Sequence, residues 1–193
     1  MKKIFDFGNF ELQYWIDEFS EVPEVPTETT YEAVDGPRNI DSVKAAKICV
    51  ELFLHKDANN YGLLGIEFIP QKEADHLEIQ IKYTKESTEH YQSDIKIYDS
   101  MICCGLYEEY VPCLKDALVK KICSLNEFYC GKLIVCTAAN SMVGSSSMIF
   151  AAIANIIIEM FLAIQNEGID KIDEHIRETV QKEYHAIMQK YRA

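Results

Sequence analysis

The apolar positions of this chain change their spacing several times, and each change predicts an element. Phe10 to Ile16 reads as a strand, and after it Pro23, Pro26 and a run of Thr and Glu read as an irregular connection. From Asn39 or Asp41, either of which suits a helix cap, Ile40, Val43, Lys47, Val50 and Phe53 or Leu54 fit a helix with one apolar face. A late strand around Cys49 to Leu54 is the alternative for the same residues. Leu63 to Ile69 is a short apolar run. Leu77, Ile79 and Ile81 then alternate with Glu78, Gln80 and Lys82, the period of a half-buried strand, and Ile95 and Ile97 repeat it more briefly.

The second half turns helical. Val111, Leu114, Leu118, Ile122 and Leu125 share one face, and Pro112 is tolerated in a first turn where its missing N–H costs nothing. Gly131 is expected to end that unit, and Leu133 and Val135 to lie on a buried strand. Ser145, Ser146 and Ser147 are candidate caps for the apolar stretch Met148 to Ile164, which reads as a core helix or a dimer interface. Ile172, Ile176, Val180, Tyr184, Ile187 and Tyr191 form the stripe of a last helix. Asp170, Asp173 and Glu174 stand at its start and Lys190 and Arg192 at its end, as the helix dipole prefers.

Composition narrows the class. The 193 residues, 48% hydrophobic and 26% charged, suffice for one globular domain without disulfides. Residues 37–193 read as a single α/β domain, with 1–36 an acidic segment packed on it or flanking it. That segment holds nine acidic residues against two lysines, more than half of the net charge of −12. This charge opposes non-specific binding to nucleic acid or anionic lipid and suits a basic protein partner. Seven cysteines, an odd number with Cys103 and Cys104 adjacent and no C-x-x-C, point to a reducing compartment; a cytoplasmic location is expected. The histidines at 55, 76, 90, 175 and 185 have no ligand spacing, so no metal or cofactor is expected. Met1 to Asp6 has no apolar h-region, and Met148 to Ile164 is short for a membrane span and carries Asn155 and Glu159.

Two local stretches carry a family likeness. Gly105-Leu106-Tyr107-Glu108-Glu109-Tyr110-Val111-Pro112, followed by Leu114 and Ala117, resembles a stretch of elongation factor G domain IV. The loop Asn140-Ser141-Met142-Val143-Gly144-Ser145-Ser146, with Phe150 and Ala154 beyond it, resembles that domain's strand-to-helix segment. The resemblance implies an α+β fold of the ribosomal protein S5 domain 2 type: a two-layer β-α-β sandwich, here with an extra acidic N-terminal segment and a C-terminal helix. It also implies a tip that reaches the ribosome and carries no chemistry. Ser141 and Gly144 stand where the family has His and Asp, and no G-x-x-x-x-G-K-[ST] is present.

The same loop has a second likeness. Val143-Gly144-Ser145-Ser146-Ser147 is similar to the phosphate loop of GHMP-type small-molecule kinases, where free N–H groups at a helix start bind phosphate. Asn140, Ser141, Gly144, Ser145, Ser146 and Ser147 are therefore the candidate ligand-binding residues, with a plain helix cap as the alternative use. No nucleophile elbow or assembled triad accompanies them. The expected function is a binding module acting through protein contacts. A ribosome-contacting factor and a phosphate-binding enzyme are the alternatives.

Overall fold

In the computed structural model, which describes residues 1–35, 43–55, 60–95, 101–125 and 128–190, the chain folds into a mixed α+β architecture. Its strands are β1 (Lys2–Asp6), β2 (Phe10–Ile16), β3 (Glu28–Asp35), β4 (Ala46–Leu54), β5 (Asn60–Pro70), β6 (His76–Tyr83), β7 (Ile102–Cys104) and β8 (Gly131–Ser141). Its helices are α1 (Val111–Cys123), α2 (Ser147–Asn166) and α3 (Ile172–Lys190). All eight strands join one sheet in the order β1-β2-β4-β5-β8-β6-β3, with β7 beside the far end of β8. Neighbours are antiparallel except β6 and β8, which run parallel and therefore need a crossover, supplied by β7 and α1.

The sheet is covered on both faces. Leu12, Tyr14, Val50, Leu52, Leu64 and Val135 point to the helices, where α2 lies on β4 and β5 between α1 and α3. The opposite face carries Trp15, Cys49, Phe53, Tyr61, Leu63 and Ala139. Irregular chain covers it, through Phe19, Val22, Tyr91 and Ile95. α2 is the one helix among the described residues long and apolar enough to cross a membrane, and most of its length is buried within the protein.

Several expectations need correction. Residues 46–54 form β4, the alternative strand, rather than the helix read from residue 39 or 41 onward. β4 is buried on both faces, so its apolar run has no polar side to reveal a period, and β-branched Ile48 and Val50 suit a sheet. Asn39, Ile40 and Asp41 lie outside the described residues, as do Ile97, Tyr191 and Arg192. The Thr/Glu run after Pro26 is β3, an edge strand on which Val34 is the one buried hydrophobic residue. With so little apolar content it gave no alternation to read. Gly131 opens β8 instead of closing α1, which ends at Cys123. Ile95 belongs to no strand; its side chain fills the core behind the sheet, and the short strand is Ile102–Cys104. Segment 1–36 supplies β1, β2 and β3, which pair with the rest of the sheet at its two opposite edges.

Candidate functional site

The loop between β8 and α2 is built to hold its shape. Ser146 is the cap of α2: in extended conformation (φ −143°, ψ 156°), its side chain accepts from the Ile149 N–H. Its hydroxyl also donates to Asn60 Oδ1 at 2.8 Å. Ser145 donates to the Tyr61 carbonyl at 2.6 Å and accepts from the Ser141 N–H at 2.7 Å. Ser141 donates to the Val143 carbonyl at 3.0 Å, and the Tyr61 N–H reaches the Gly144 carbonyl at 3.2 Å. Gly144 has φ 122°, a backbone state that side chains resist, so glycine is required for the chain to turn into the helix. Asn140, buried at the end of β8, donates to the Gly105 carbonyl at 2.9 Å, while its own Oδ1 has no protein partner. The carbonyl of Ser147 accepts from Cys113 at 3.5 Å.

The six residues singled out in the sequence thus stand together, but the hydroxyls of Ser141, Ser145 and Ser146 are taken up by hydrogen bonds within the fold. What the loop shows to solvent is apolar. Met142 is 65% exposed and Val143 78% exposed, and Met101, 54% exposed, is joined to Met142 through a backbone hydrogen bond of 3.2 Å. Of the other side chains considered, Glu108 and Glu109 occupy a single 3₁₀ turn ahead of α1, and Cys103 and Cys104 are buried on β7. Burial pushes the Cys104 thiol up to about 11, which leaves it protonated and unreactive at neutral pH.

A second group of polar residues lies behind the sheet. Gln13 on β2 and Glu51 on β4 face each other across paired strands, and both are completely buried. Tyr61 donates to Glu51 Oε1 at 2.8 Å and Tyr91 to Oε2 at 3.5 Å. Burial pushes the Glu51 carboxyl up to about 7 and outweighs the opposing pull of the Ser93 and Tyr61 hydroxyls. Burial likewise raises the Tyr61 and Tyr91 phenols, which remain protonated donors. Neither amide atom of Gln13 has a protein partner within hydrogen-bonding geometry, although its amide lies near enough to Asp94 to help keep that carboxylate ionised. Above this group is a cleft of about 700 Å³, walled by Trp15, Phe19, Ser20 and Tyr91 and edged by Lys2 and Asp94.

Sequence reasoning did not reach this second group. A signal was present: Glu51 is the single charged residue in the run Ile48 to Leu54, and Gln13 stands inside the run Leu12 to Ile16. A lone polar residue in a doubly buried strand faces apolar surroundings or a purpose-built polar pocket.

No family model, curated protein or solved structure matches this chain.

Proposed function

We propose that this domain is a non-enzymatic binding module that docks another protein on the tip formed by Met101, Met142 and Val143. The observation that carries this reading is the division within the tip loop. The hydroxyls of Ser141, Ser145 and Ser146 are consumed by internal hydrogen bonds, while the loop's two largest apolar side chains stand in water on a braced scaffold. Exposed apolar side chains held rigidly lose little entropy on binding and gain the full burial term. A net charge of −12 favours a partner with basic groups around its apolar contact.

The likeness to elongation factor G domain IV belongs to the same reading. Strand, strand, helix, strand, helix is the order of β6, β7, α1, β8 and α2, and the loop that carries the likeness is the braced one. These features support an S5 domain 2-like fold and, as its particular form, a tip offered to the ribosome. A phosphate bound at the loop would have to displace the Ser145 and Ser146 hydrogen bonds or rely on backbone N–H groups alone.

A photo-crosslinking amino acid placed at Met142 tests the docking site in cells. One adduct that wild-type protein competes away, and that Val143→Asp abolishes, is the expected result. Adducts indifferent to Val143→Asp would sink the reading. Adducts that co-sediment with ribosomes would select the ribosomal form.

A further inference from the structure

The cleft behind the sheet has a chemistry of its own, independent of the tip. Aromatic side chains stand in its otherwise mostly polar wall: Trp15 on β2, with Phe19 and Tyr91 from the two covering segments. Its charged groups are predominantly acidic. Asp94 is held ionised chiefly by Lys2, with a smaller contribution from the Gln13 amide beneath it. Glu21 adds a rim carboxylate, as does Glu18, which lies against the Met1 amine. Aromatic faces beside a carboxylate attract a cation through the ring quadrupole and direct charge together.

One cation already sits there. The Lys2 ammonium bonds to Asp94 and lies 5.5 Å from the centre of the Trp15 ring. Lys2 is 42% exposed at its side chain and Asp94 59%, so the ammonium can swing out to water without disturbing the sheet. Beneath the pair, the fully buried Gln13 amide lies against Asp94 but has no partner in full hydrogen-bonding geometry. A buried polar group of that kind is a cost the fold bears unless something satisfies it.

We propose that this cleft is a binding site for primary ammonium groups, with Lys2 as its internal occupant and Trp15 and Asp94 as its recognition elements. The incoming group takes the place of the Lys2 ammonium over Trp15 and bonds to Asp94. Two sources share this chemistry: a free alkylamine, and the side chain of a lysine on another chain.

Trp15 is the only tryptophan in the protein, so its emission reports occupancy of this site directly. The experiment titrates wild type and Lys2→Ala with n-butylammonium chloride and, separately, with a short peptide bearing one lysine. Sodium chloride holds the ionic strength constant, and n-butanol serves as the uncharged control. A saturable change in Trp15 emission is expected, tightened about ten-fold in Lys2→Ala if the internal ammonium fills the site nine-tenths of the time. Asp94→Asn should abolish the response while the far-UV circular dichroism stays that of wild type. Saturation by butylammonium identifies a free-amine site, and saturation by the peptide alone identifies a lysine-reading one. No saturation by either ligand in Lys2→Ala, or a response equal to that of n-butanol or unchanged in Asp94→Asn, would overturn the proposal.

Discussion

Glu51 is the residue at which this fold most openly opposes solvation. A carboxylate stripped of water is costly, so the folded state holds the proton more tightly than the unfolded chain does. The sign of the consequence follows from linkage. Between about pH 4.5 and 7 the folded protein carries a proton that the unfolded chain has released, so stability falls as pH rises through that window. The penalty is complete above it, at about 3 kcal/mol. Glu51→Gln keeps an acceptor for the Tyr61 hydroxyl and removes the titration. The variant should be more stable than wild type at pH 8 by that order and lose much of the slope between pH 5 and 7. Urea denaturation at four pH values would show it, and identical slopes in the two proteins would rule it out. Gly65 shows the opposite constraint, that of space: a Cβ there would stand 2.2 Å from Thr137 Cγ2 and 3.0 Å from the Phe19 ring. This glycine lets Phe19 close over the sheet. The close approach is not visible in the sequence, and the buried carboxyl shows there only as a lone charge in an apolar run, because each depends on residues far away along the chain.

At the scale of elements, legibility followed amphipathicity. α1 and α3 were readable because their buried residues, Leu114, Leu118 and Ile122 in one and Ile172, Ile176 and Val180 in the other, recur at helical spacing against polar neighbours. β6 was readable for the same reason at period two, with Leu77, Ile79 and Ile81 buried and the residues between them half-buried. β4 and β3 failed at opposite extremes, one apolar on both faces and the other scarcely apolar on either. The start of α2 was legible to the residue class, since small hydroxyl residues before an apolar run satisfy the free N–H groups of a first turn. Ser146 does this work and is also tied to Asn60, so Ser146→Ala should cost about 1–2 kcal/mol in thermal or chemical denaturation. A loss as small as that of an exposed surface substitution would show that the cap is dispensable. The same hydroxyl cannot serve a phosphate without giving up this role.

At the scale of the whole molecule, the strand order ties distant segments into one sheet. β2 pairs with β4, β3 with β6 across more than forty residues, and β8 is inserted between β5 and β6. The Tyr14 hydroxyl reaches Asp173 at 2.6 Å, so the second strand is fastened to the start of the last helix. Unfolding should therefore be a single transition, with Trp15 fluorescence and helical circular dichroism changing together. Separate midpoints for the two signals would mean that the N-terminal strands and the helical layer are independent units. By itself the sequence determined what depends on near neighbours: the mixed α and β content, the period of α1, α3 and β6, the hydroxyl cap of α2, and the clustering of the tip-loop residues. Only the tertiary structure decided which apolar runs are strands buried on both faces, that the Ser141, Ser145 and Ser146 hydroxyls are tied up within the fold while Met142 and Val143 face water, and that Trp15 and Asp94 meet at one cleft. The physical reason is range. Periodicity and capping act within a few residues, whereas burial, proton affinity and the shape of a cleft are set by strands and loops brought together from opposite ends of the chain.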